Sequence, residues 1–144
     1  MKLISLQILT LFFTIIVHAQ EGHFYNTNGV AIKGYDPVAY FTQNKAIVGN
    51  DSISMEWSGS VWKFVSKENL QLFTNDPKKY APVYGGFCAY GTSEKHLSPT
   101  DPNAWTIVNN KLYLNYNLKV KEFWIKDTTS RIISADIYWS SLKN

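Results

Sequence analysis

Ile53, Met55 and Trp57 alternate with Ser54 and Glu56, and beyond Ser58-Gly59-Ser60 the apolar Trp62 and Phe64 flank Lys63. A period of two on both arms predicts a β-hairpin with one buried face. The period then changes. Ser66 reads as an N-cap, Leu70 and Phe73 stand at helical spacing over Lys67 to Asn75, and Asp76-Pro77 stops the predicted helix. A second hairpin is predicted from Trp105 and Ile107 against Leu112 and Leu114, with Asn109-Asn110 between them, a pair that tolerates positive φ. Tyr116, Val120, Phe123 and Trp124 then fall on one face of a helix, and Ile132, Ala135, Trp139 and Leu142 form the inner stripe of a last helix.

Shorter elements precede the first hairpin. The turn signal Asn26-Thr27-Asn28-Gly29 leads to a short strand expected at Val30 to Ile32. Asp36-Pro37 favours a turn whose carboxylate caps neighbouring amides, followed by a strand expected over Val38 to Phe41. Thr42 to Asn50 and Thr92 to Asn103 read as loops, as does the Gly-rich and Pro-containing run Tyr80 to Gly91. The sum is an α+β fold of small antiparallel β-hairpins packed with helices. Its expected core is Trp57, Trp62, Phe64, Leu70, Phe73, Trp105, Ile107, Leu112 and Leu114, large enough to hold without a structural metal.

The first 19 residues change the picture of where the protein works. Met1-Lys2 opens a run that is apolar from Leu3 to Val17 and reaches Val17-His18-Ala19, the layout of a secretory signal peptide cleaved after Ala19. The expected organisation is signal peptide 1–19, lead-in 20–33 and one domain over 34–144 with C-terminal helices, exported to a periplasmic or secreted location and free of the membrane after cleavage. Composition adds little about partners. The formal charge is +3, with basic residues scattered and no stripe suited to nucleic acid, so a nucleic-acid partner is not expected. Aromatic residues make up 15% of the chain, enough that many rings must build core.

Candidate chemistry centres on the only cysteine. Cys88 sits in Tyr80-Ala-Pro-Val-Tyr-Gly-Gly-Phe-Cys-Ala-Tyr-Gly91, where Gly85-Gly86 let the backbone turn tightly and present the following side chains to a cleft. The expected pocket has Cys88 at its edge, Tyr84, Tyr90 and Tyr35 nearby, and His96 approaching from eight residues on. Three functions are compatible with one thiol in an oxidising compartment. The first is a binding module in which Cys88, with His96 and Met55, holds a small ligand or a soft metal ion; copper(I), satisfied by two or three soft donors, asks fewest ligands. The second is a redox protein cycling Cys88 through sulfenic acid or a mixed disulfide. The third is an interaction domain with an inert, buried cysteine. His23 near the new N-terminus is a further histidine that could hold copper beside a free amine. Conventional hydrolases are disfavoured, since no Ser-His-Asp order, paired-carboxylate motif or His-Glu-x-x-His helix occurs. The expectation leans away from an enzyme, with no catalytic residue assigned.

Three stretches carry a resemblance: Gly34-Tyr-Asp-Pro-Val-Ala-Tyr-Phe41, Trp57-Ser-Gly-Ser-Val-Trp-Lys-Phe-Val-Ser66 and Phe73-Thr-Asn-Asp-Pro-Lys-Lys-Tyr80. At that spacing the chain resembles the YHS-domain family, in its exported single-domain subgroup, whose pattern extends through Tyr84-Gly-Gly-Phe-Cys-Ala89 and Lys111-Leu-Tyr-Leu114. The resemblance implies a treble-clef-like core of hairpin plus helix. It also implies heavy-metal binding, through cysteines that this chain replaces by Ala39, Val65 and Asn69, so the metal site is not carried over to those positions.

Overall fold

The computed structural model describes residues 24–143; the expected signal peptide, the start of the expected lead-in and His23 lie outside the described residues. The fold is α+β. The first hairpin forms as the alternation dictates, from β3 (Asn50–Trp57) and β4 (Ser60–Phe64). On β4 the residues Ser60, Trp62 and Phe64 are buried while Val61 and Lys63 between them are only partly covered. Two short strands extend this sheet: β1 (Asn26–Thr27) pairs antiparallel with β2 (Val30–Ala31), and β2 runs parallel to β4, giving the order β1-β2-β4-β3. The expected strand at Val30 to Ile32 is cut short because Ile32 and Lys33 take positive φ and turn into a 3-10 helix.

The strand expected at Val38 to Phe41 is instead a helix, α1 (Ala39–Thr42). Its cause is the carboxylate of Asp36, whose Oδ1 accepts from the amides of Val38 at 2.7 Å and Ala39 at 3.2 Å. Those are the amides a starting helix leaves without partners, so the capped turn leads into helix and overrides the β-preference of Val38 and Tyr40. The other carboxylate oxygen accepts from the Val65 amide at 2.8 Å and from Asn69 Nδ2 at 2.7 Å. Asp36 thereby ties α1 to the end of β4 and to α2 (Lys67–Asn75), the helix capped by Ser66. Asp76 both ends α2 and caps α3 (Pro77–Tyr80), in which Pro77 takes the first-turn position that needs no amide.

The second hairpin, β5 (Asp101–Val108) with β6 (Lys111–Asn115), forms a separate two-stranded sheet, and Asn109 and Asn110 at its tip both have positive φ. One apolar cluster joins the two hairpins through Trp62, Phe64, Phe73, Leu112 and Leu114, with Trp57, Leu70, Trp105 and Ile107 packed against it. Buried Val38 and Tyr40 of the α1 region, absent from the expected core, belong to the same cluster. The Tyr40 hydroxyl donates to the Pro102 carbonyl at 2.9 Å.

A second cluster lies on the far side of β6, where Tyr113 meets Tyr84, Ala89, Trp124 and Ala135. It joins α4 (Ala89–Ser93), α5 (Leu118–Lys126) and α6 (Thr128–Leu142). Asn117 caps α5 through the Val120 amide, so Tyr116 precedes the helix and stays half exposed, as does Phe123. The expected α5 face is therefore narrower, with Val120 and Trp124 turned inward. The run Tyr80 to Gly91, expected as loop throughout, holds α3's end, a 3-10 turn at Tyr84–Gly86 and the start of α4.

Candidate functional site: the cleft over Cys88

Tyr84 and Gly85 have φ of 55° and 59° and Gly86 has 78°, a left-handed run that reverses the chain just before Cys88. The reversal is pinned from outside: the Gly85 carbonyl accepts from the Tyr25 amide at 2.7 Å, and the Gly86 carbonyl from the Thr100 hydroxyl at 2.8 Å. Cys88 then becomes the N-cap of α4, and its backbone is fixed by an amide bond to the Ser98 carbonyl at 3.0 Å.

The side chain of Cys88 is 1% exposed and forms part of the floor of a cleft of about 300 Å³. Tyr90 and Gly91 from α4, His96 and Ser98 from the segment after it, and Tyr116 and Val120 from the β6 to α5 junction line the rest. Sγ accepts from the Gly91 amide at 3.4 Å and donates to Asn115 Oδ1 at 3.6 Å, while the Tyr90 amide donates to that same oxygen at 3.1 Å. Burial raises the thiol's pKa above its ordinary value, opposed by the backbone amides of Gly91, Tyr116 and Tyr90. At neutral pH the sulfur is a thiol and a weak nucleophile.

Gly91 is the point where Cys88 and His96 converge. Its amide faces Sγ, and a Cβ built on it would lie 3.2 Å from His96 Nε2, from the His96 carbonyl and from Ser98 Oγ. A side chain at this position would therefore push the His96 segment back from α4 by a few tenths of an ångström. The imidazole is solvent-exposed, with Nδ1 3.4 Å from the Glu94 carbonyl.

Of the residues expected in the pocket, Cys88, Tyr90 and His96 come together and the others do not. Tyr84 is buried in the second cluster, its hydroxyl donating to Asp136 Oδ1 at 2.8 Å, and burial together with that bond raises its pKa. Gly85 and Gly86 shape the turn but do not line the cleft. Tyr35 bridges Val48 and packs on the first cluster, because the 3-10 turn before it directs it to that side. Met55 belongs to the first cluster too, its Sδ accepting from the Thr74 hydroxyl at 3.4 Å.

Sequence reasoning missed Gly91, Ser98, Tyr116 and Val120 as lining and Asn115 as the partner of Cys88. It also missed Arg131, which braces the cleft wall from α6. The Arg131 guanidinium stacks 4.2 Å over the Tyr90 ring, donates to the Tyr90 hydroxyl at 3.3 Å and to Ser93 Oγ at 3.2 Å, and pairs with Glu94. Long-range pairings of that kind leave no local sequence signal.

The donor set falls short of a three- or four-ligand metal site. The cleft offers one thiol and one imidazole, the thiol is protonated and bonded inward, and no group of three or more His, Cys, Asp and Glu side chains gathers among the described residues. Ala39, Val65 and Asn69 meet at Asp36, where the amides of the first two and the side chain of the third donate to a buried carboxylate. A larger hollow of about 400 Å³ at the β3 to β4 turn, lined by Gly29 and by residues 56–61, carries neither thiol nor imidazole. Comparison of the chain with protein-family models, with curated proteins and with solved structures found no significant match.

Proposed function

We propose that the chain is an exported, YHS-like binding protein that holds a small, largely apolar molecule in the cleft over Cys88. The observation that carries this reading is the convergence of Cys88 and His96 on Gly91 within one cleft walled by Tyr90, Tyr116 and Val120. Clefts of this kind bind through apolar walls and a few fixed polar groups, and at about 300 Å³ this one suits a compact ligand. Tyr90 and Tyr116 supply stacking faces, while His96 and Ser98 supply polar contacts at the rim. Binding is favoured over thiol redox chemistry because a buried, protonated sulfur is poorly placed to attack an outside disulfide or peroxide. The signal-peptide layout of 1–19 supports export.

The test is a fragment screen by two-dimensional NMR on reduced protein comprising residues 20–144. Binding is expected to move the amides of Cys88, Tyr90, His96, Ser98 and Tyr116, and to be weakened by His96→Ala. Copper(I) added alone is expected to cause no saturable change at these amides. Fragments that move only residues 56–61, or saturable copper(I) binding at Cys88, would overturn the reading.

A further inference from the structure

Asn115 is completely buried at the end of β6, and its amide is half used. Oδ1 accepts two hydrogen bonds, from the Tyr90 amide at 3.1 Å and from Cys88 Sγ at 3.6 Å, whereas Nδ2 has no partner. A buried donor left unpaired is unfavourable, so something must hold the amide in this orientation. The Tyr90 amide does so. Rotating the side-chain amide by half a turn would set Nδ2 hydrogens against the Tyr90 N–H, two donors facing each other. The oxygen is therefore locked toward the sulfur. A sulfur facing a carbonyl-type oxygen is stabilised when it carries its proton and destabilised when it does not.

We propose that Asn115 is the positioning residue that keeps Cys88 a hydrogen-bond-donating thiol, and so keeps the cleft floor neutral and unreactive. Burial is the largest cause favouring the thiol, and Asn115 acts in the same sense; three backbone amides, those of Gly91, Tyr116 and Tyr90, act in the opposite sense and favour the thiolate. The Tyr90 amide is engaged by Asn115 Oδ1, which weakens one of those three. Other titratable groups around the sulfur are His96 and Tyr116 in the cleft lining and Tyr90 on α4, with Arg131 of α6 and its partner Glu94 lying beyond Tyr90. Among the described residues, Asn115 is the one side chain that hydrogen-bonds to Sγ. The inference stands apart from what the cleft binds and holds even if it binds nothing.

The chain has one cysteine, so its S–H stretching band in Raman spectra belongs to Cys88 alone. In the unaltered protein the band is expected at a hydrogen-bonded frequency. Asn115→Leu should move it toward the free-thiol position and lower the pH midpoint of thiol modification by about one unit, roughly a tenfold rise in thiolate at neutral pH. A general loosening of the fold would also lower that midpoint by solvating the thiol, but would bring the modification rate up to that of the urea-unfolded chain. The proposal expects the lowered midpoint with modification still far slower than in the unfolded chain, and a rate equal to the unfolded chain's would overturn it. A free-thiol band in the unaltered protein, or an unchanged or raised midpoint in Asn115→Leu, would overturn the proposal. Should the variant not fold, the band of the unaltered protein decides alone.

Discussion

Asn69 Nδ2 donates to Asp36 Oδ2 at 2.7 Å, joining residues 33 positions apart in the chain. The bond completes a fully buried carboxylate that also receives the amides of Val38, Ala39 and Val65. Asp36→Asn would set an amide NH2 against backbone donors, and hydrogen bonds to a charged acceptor contribute more than neutral ones. The expected loss is about 3 kcal/mol in urea unfolding. Asn69→Ala should cost less, about 1 to 2 kcal/mol, because the carboxylate keeps its three backbone donors.

Gly91→Ala separates binding from stability. Alanine gains about 1 kcal/mol over glycine inside a helix, but its Cβ would crowd the His96 carbonyl and Ser98 Oγ at 3.2 Å. The two effects oppose, so melting should change by only a few degrees. The amides of His96 and Ser98 are expected to shift strongly in NMR spectra, and fragment binding to the cleft should be lost.

Arg131→Lys is expected to behave like Arg131→Met. The guanidinium stacks on Tyr90 while also bonding to Ser93 and Glu94, and an ammonium cannot hold that planar set of contacts. Each substitution should cost about 1 kcal/mol and weaken cleft binding through Tyr90. Equal stability and binding for Arg131→Lys and the unaltered protein would count against the bracing role.

Alkaline pH should destabilise the fold. Burial is the largest cause raising the pKa of Cys88, Tyr40 and Tyr84, so each group holds its proton in the folded state at pH values where the unfolded chain has lost it. The folded state then binds more protons, and stability falls as pH rises past the unfolded-state values, about 8.5 for the thiol and about 10 for the phenols. Below the thiol value the contribution is fully present. Urea unfolding across that range should show the decline, and Cys88→Ala should remove its first part.

Both hairpins, α2 and the stripe of α6 were legible because their signals are local: alternation at Ile53 to Trp57, the cap at Ser66, the turn pair Asn109-Asn110. The helix at Ala39 was not, since Val38 and Tyr40 favour strand and only the buried carboxylate of Asp36, held also by Val65 and Asn69, decides for helix. The site divided in the same way. Cys88, Tyr90 and His96 lie within one short stretch and could be grouped from the sequence. Tyr116, Val120, Asn115 and Arg131 arrive from β6, α5 and α6 through packing on Tyr113 and Trp124, which no spacing announces. Tyr84 was misplaced because its left-handed φ of 55° turns it away from Cys88 and into the second cluster.

The central claim is that Cys88 is a protected, protonated thiol beneath a binding cleft. The rate of its modification by a small uncharged reagent in the folded, reduced protein, measured against pH with urea-unfolded protein as reference, tests it most directly. The account predicts modification far slower than in the unfolded chain at neutral pH, with a midpoint above the ordinary thiol range. Fast modification at neutral pH, with a midpoint below that of the unfolded chain, would contradict it and identify a redox cysteine.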